Sequence, residues 1–211
     1  APEFSRVFAA RTCMMAGVGL TGVFLWYLVR FWVYGKAVVL TSAPLTIPAG
    51  FLIAGMAVAT LIGAALASWA AGPISERIEE KNIPVARVVA GACLLYAAGL
   101  ALAWGLGVWS TGTARENGML LFALISGFAF GVYDSLGLEL VMDSLPDPRR
   151  AGHDLGIYAL ANSAGLALAA IIGALLVNAF EHSFGYYLLF PSAIVMVLLA
   201  GIVTLTTKSA E

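Results

Sequence analysis

The chain has 211 residues, of which 61% are hydrophobic and 11% charged, with a formal net charge of -1 and a mean hydropathy of +0.94. A soluble domain carries about 45–50% apolar and about 25% charged residues, so this composition excludes a soluble globule and points to an integral membrane protein. No nucleic-acid partner is expected, and the net charge says little, because charge in a membrane protein counts by side and not by sum. Six runs reach the length of about 20 apolar residues that a spanning helix needs: residues 7–33, 49–71, 85–109, 119–142, 155–179 and 184–205. None shows the alternation of a barrel strand in lipid, so the expected fold is all-α, one six-helix transmembrane domain over residues 1–211. The chain does not begin with Met, which points to processing or to foreign residues at Ala1 to Phe4, and the first apolar run is too long for a cleaved signal peptide.

In chain order, the first run carries Arg11 near its start and Trp26, Tyr27 and Arg30 near its end. Arg30 reads as a cation snorkelling to the interface, and Trp26, one turn inward, as a ring facing either a cavity or lipid. The connection 34–48 holds two prolines and the apolar AVVL, so it is expected to lie along the membrane surface. In the second run Gly55, Ala59, Gly63, Ala67 and Ala71 recur every four residues, and in the fifth Ala161, Gly165, Ala169 and Gly173 do the same. Small residues at that spacing let helix backbones approach, which drives association where no hydrophobic effect operates between helices. The fourth run has Ala123, Gly127, Gly131 and Ser135 in such a row, and at about 100° per residue Asp134 falls on the same face. Pro191 is expected to kink or start the sixth helix. Cys13 and Cys93 both lie in apolar runs and read as small buried thiols, without a metal or disulfide pattern.

Counting Lys and Arg by side orients the chain. Arg6, Arg11, Arg77, Lys81, Arg87, Arg149, Arg150 and Lys208 fall on one side, and Arg30, Lys36 and Arg115 on the other, so both termini are expected in the cytoplasm. The first and fourth runs carry charges and the second and fifth carry the small-residue rows, the pattern of two inverted three-helix repeats.

An ionisable residue inside a span is rare and sits by default against protein or a water-filled cavity. Asp134, a few ångströms from the middle of its run, is the candidate for carrying a coupling proton or pairing a cation, with a purely structural interhelical bond as the alternative. Tyr158 and Asn162, one turn apart beside the small-residue row of the fifth run, are candidates for touching a solute or for holding helices together. Nearer the cytoplasm, Glu139, Asp143, Glu76, Arg77 and Arg11 are expected to gather as an ion-pair cluster. His153 and Asp154 read as a helix cap. No nucleophile and base pair, metal constellation or cofactor motif can be assembled, so no enzyme activity, metal or cofactor is expected.

The stretch GVYDSLGLELVMDSLPDPRRAGHDLGIYALANSAGLALAAIIGALL resembles the tenth and eleventh helices of a major facilitator superfamily transporter. The segment GPISERIEEKNIPVAR resembles that superfamily's loop between the second and third helices of a half, with Gly72, Glu76 and Arg77 on the pattern and Glu79 and Glu80 where the family has a basic pair. FSRVFAARTCMMAGVGLTGVFLWYLVRF resembles the opening helix of a C-terminal half. The resemblance implies a half-transporter fold and movement of a small solute by alternating access, with the cytoplasmic charges latching the inner gate. It also implies partners: the lipid bilayer, the solute, and a second six-helix half from the same or a different chain. Two other readings stay open: a non-transporting structural or assembly subunit of a larger membrane complex, and a solute-capturing module that docks on ATP-driven subunits.

Overall fold

The structure, a computed structural model, describes residues 2–34, 46–145, 151–180 and 182–207. Among them every regular element is helical: α1 (Pro2–Gly22), α2 (Leu25–Leu28), a π-helical turn (Val29–Val33), α3 (Thr46–Glu80), α4 (Val85–Trp109), α5 (Thr113–Asp143), α6 (Ala151–Ala179) and α7 (His182–Leu205). Among the described residues five helices, α3 to α7, are long and apolar enough to cross a membrane, and the protein is a multi-pass integral membrane protein. The opening segment is not one of the five, because it is broken at Val23 and Phe24 and its long piece carries Glu3, Arg6 and Arg11.

Where helices end differs from where the apolar runs end. The second run was expected to stop at residue 71, yet α3 continues through Gly72 and Pro73 to Glu80. At 1.5 Å per residue its 35 residues reach roughly 52 Å, well beyond the roughly 30 Å of a hydrocarbon core. The cause is local: ISERIEE is polar but helix-forming, so hydropathy falls while hydrogen bonding goes on. The helix is closed by Asn82, in the left-handed region at φ 48°. The Ile83 amide donates to the Ile78 carbonyl at 3.0 Å and the Asn82 amide to that of Glu79 at 3.2 Å, which caps the free carbonyls of the last turn. Pro191 lies inside α7 and does not start it. The surface-hugging stretch expected between Tyr34 and Pro48, and the turn with Pro146, Pro148, Arg149 and Arg150, fall largely outside the described residues.

The helices pack in the spatial order α3, α5, α4, α7, α1, α6, with α6 also touching α7. Two of the crossings that require glycine lie at opposite ends of the row of helices. A side chain at Gly127 would sit 2.9 Å from Thr60 Cα, and one at Gly63 would sit 2.7 Å from the Phe128 nitrogen, so α3 and α5 meet backbone to backbone. At the other end of the row of helices, a side chain at Gly165 would lie 2.7 Å from the Thr12 carbonyl oxygen, joining α6 to α1. The buried residues of α6 are Ala161, Gly165, Ala169 and Gly173, the small-residue row itself. The centre is filled by large apolar side chains, with Phe190 of α7 fully buried and edge-on to Phe122 of α5 at 6.4 Å.

At one end of the bundle the π-helical turn is tied to the start of α5. Arg115 donates through Nη1 to the Trp32 carbonyl at 3.0 Å and through Nε to the Ser110 carbonyl at 2.7 Å. The Trp32 ring lies 4.1 Å from that of Tyr187 and 5.4 Å from that of Phe190. Just past the turn, partial burial pushes the Tyr34 phenol up to about 12, and the neighbouring Glu116 adds to the shift.

Candidate functional site

Arg11 is the centre of the polar chemistry inside the bundle. It lies nine residues into α1, roughly 14 Å along the axis from the start of that helix, and is 8% exposed. A buried guanidinium is tolerated only when its charge and its N–H groups are met. Here Nη1 stands 2.7 Å from Asp134 Oδ1 on α5, and Nε donates to Asn162 Oδ1 on α6 at 2.7 Å. The rings of Phe130, Tyr133 and Tyr158 surround the guanidinium carbon at 5.6, 5.6 and 5.8 Å, within the range of cation–π attraction. Three helices therefore converge on one cation.

Asp134 is differently placed from its partner. Its side chain is 56% exposed, against 9% for that of Arg11. It shares a face of α5 with Gly127 and Gly131 as the periodicity predicts, but it opens onto a groove instead of being enclosed by protein. The groove, about 400 Å³, is bounded by α3, α5, Val18 of α1 and Tyr96 of α4. Thr60 and Ser68 from α3 and Ser126 and Ser135 from α5 also line it. A second pocket shares Val18, Thr60, Tyr96 and Ser126 and continues the groove toward Leu25 and Ile53.

The structure brings Asp134, Asn162 and Tyr158 together around Arg11. Arg11, grouped with the cytoplasmic charges by sequence, reaches Asp134 and Asn162 instead. Glu76, Arg77 and Glu139 are exposed, and among the described residues no ion pair within 4.0 Å joins them. Asp143 closes α5, and its side chain lies outside what is described. Trp26 is apart from this centre, its ring 5.6 Å from the Arg30 guanidinium carbon. His153 Nδ1 is 3.2 Å from Asp154 Oδ1, and Asp154 sits in the first turn of α6, which begins at Ala151. Among the described residues no three metal-ligating side chains gather. Tyr133, Phe130, Thr60, Ser68 and Ser126 carry no signal of the site in the sequence, and Ser135 stands there only as a member of the small-residue row. For Arg11 a signal existed: it stands inside an apolar run, four residues past Val7, where a charge needs a partner.

A family model, Major Facilitator Superfamily, matches residues 49–211, which takes in α3 from its fourth residue through α7. No curated protein and no solved structure matches the chain.

Proposed function

The chain belongs to the major facilitator superfamily, a family of membrane transporters, and from that premise we propose that it is one half of a secondary transporter moving a small solute by alternating access. In this reading the opening segment is a sixth span, both termini are cytoplasmic, and a second six-helix half covers the groove. The packing order supports the inverted repeat. Exchanging α1 with α5, α3 with α6 and α4 with α7 turns the α3–α5 contact into α6–α1 and the α4–α5 contact into α7–α1, both of which occur, and returns α4–α7 to itself, while the α6–α7 contact has no comparable α3–α4 counterpart.

The observation that carries the function is the bond between buried Arg11 and groove-facing Asp134. Asp134 touches both the interior cation and the open space a solute would occupy, so binding of a proton or another cation at its carboxylate competes with Arg11. Release of that bond frees α1 from α5, and this is the proposed coupling step. Glu76, Arg77, Glu139 and Asp143, near the cytoplasmic ends of α3 and α5, supply charges for an inner gate that closes in another state of the cycle.

The test uses vesicles carrying the full chain with the subunits that extract with it, in a background with Cys13 and Cys93 replaced. A membrane-impermeant maleimide should label Ser135→Cys at a rate that, divided by its rate with a free thiol at the same pH to remove the thiolate fraction, still changes with pH, and Asp134→Asn should remove that residual change while the protein stays folded. A normalised labelling rate indifferent to pH with Asp134 present would sink the coupling role. A native particle built of several unrelated subunits would favour the scaffold reading, with Arg11–Asp134 as an interhelical fastening.

A further inference from the structure

Four hydroxyls that line the groove beside Asp134 are one-sided in their hydrogen bonding. Thr60 donates its hydroxyl hydrogen to the Met56 carbonyl at 2.9 Å, Ser68 to Ala64 at 3.1 Å, Ser126 to Ala123 at 3.0 Å and Ser135 to Gly131 at 2.9 Å. A hydroxyl has one hydrogen and two lone pairs. With the hydrogen committed to its own helix, each presents lone pairs to the groove. Asp134 adds a carboxylate, which only accepts. The nearest strong donor, Arg11, is among the polar groups behind Asp134 and does not line the space.

Charge narrows the choice further. Arg11 and Asp134 neutralise each other, so the site holds no net charge to offer. An anionic solute would face a carboxylate and a wall of lone pairs. An ammonium solute would have to compete for the one carboxylate with both the Arg11 guanidinium that already holds it and the coupling cation. A neutral solute with O–H or N–H groups meets neither objection, and the Phe130 and Tyr96 side chains give its apolar face a surface. The space of about 400 Å³ falls in the usual range for small-molecule sites.

Resting on the transport reading above, we propose that the solute is uncharged and carries several O–H or N–H donors along one edge, a small polyol being the simplest case. Those donors bind the lone pairs of Thr60, Ser68, Ser126 and Ser135 and the free edge of Asp134.

Equilibrium binding of three radiolabelled six-carbon probes tests this: a hexitol, its amino analogue and its carboxylate analogue, presented to the full chain with its native subunits in lipid nanodiscs. The hexitol should bind saturably, the carboxylate should not bind, and the amine should bind no better than the hexitol. Thr60→Val and Ser126→Ala, near-isosteric changes checked by melting temperature, should each weaken the hexitol about five- to tenfold, the effect of one lost hydrogen bond. A tenfold preference for the amine or the carboxylate overturns the solute class. So does binding by none of the three, or hexitol affinity unmoved by both substitutions. The transport reading falls or stands separately, because maleimide labelling at Ser135→Cys is measured without any solute.

Discussion

Arg11 Nη1 stands 2.7 Å from Asp134 Oδ1, a bond between α1 and α5, which otherwise have few contacts. The two ends of this bond differ in burial, so removing one end is not equivalent to removing the other. Asp134→Ala leaves a buried guanidinium with one amide acceptor and three rings, and a stranded buried charge costs about 3–5 kcal/mol. Arg11→Met leaves a carboxylate that already opens on the groove, and the expected cost is nearer 1 kcal/mol. Thermal unfolding of the purified protein in lipid should rank Asp134→Ala well below Arg11→Met, with the double change Arg11→Met, Asp134→Leu recovering part of the loss. The reverse ranking would contradict the burial on which this asymmetry rests.

The α3–α5 crossing sets a second expectation. Gly127→Val must push α3 away, because the added carbon meets Thr60 backbone and not a side-chain tip that could swing aside. Overpacking of this kind costs about 1–3 kcal/mol or more. Gly72 is in the same helix as Gly63 but has nothing within 4 Å, so Gly72→Ala should be neutral or stabilising by up to about 1 kcal/mol. Melting temperatures of the two variants check this contrast, and equal effects would mean that the crossing is not tight.

Arg115 caps the π-helical turn from 83 residues away. Without it the Trp32 carbonyl loses the donor it accepts from, and the turn is held by its own hydrogen bonds and by the Tyr187 and Phe190 rings. Arg115→Ala should raise amide exchange over residues 29–34 several-fold while leaving α7 protected. Hydrogen-exchange mass spectrometry reads this directly, and unchanged exchange would show the cap to be idle.

Tyr34 gives a pH dependence with a definite sign. Its phenol is raised from the ordinary 10.0 to about 12, first by burial and then by Glu116. The folded state therefore holds the proton more tightly than the unfolded chain. The contribution is fully present below pH 10.0 and is lost as pH rises toward about 12. Tyr34→Phe should consequently show a shallower fall in melting temperature across that interval than the parent protein. Parallel curves would remove Tyr34 from the list of titrating groups.

The apolar runs were readable from the residues because burial in lipid is a property of composition, and α4, spanning Val85–Trp109, coincides with its run. The small-residue row of α6 was readable because helical period alone puts Ala161, Gly165, Ala169 and Gly173 on one face. Hydropathy failed at the end of α3, since backbone hydrogen bonding runs on through polar residues until Asn82 turns the chain. Counting charges by side placed Arg11 with the end of its helix, because a count assigns a cation to a side without asking how deep it lies.

What tertiary structure alone decided is which faces look at each other. Arg11 on α1 is more than a hundred residues of chain away from both Asp134 on α5 and Asn162 on α6, and the three meet only because α1 packs against α6 at Gly165 and reaches across to α5. The groove has the same origin. Thr60 and Ser126 are ordinary helix hydroxyls in the sequence, and they line one space because α3 and α5 cross at Gly63 and Gly127 with no side chains between them. Composition and period act along one chain axis and so determine the helices and their small-residue faces. A site between helices depends on their relative rotation and approach, which only the packed bundle sets.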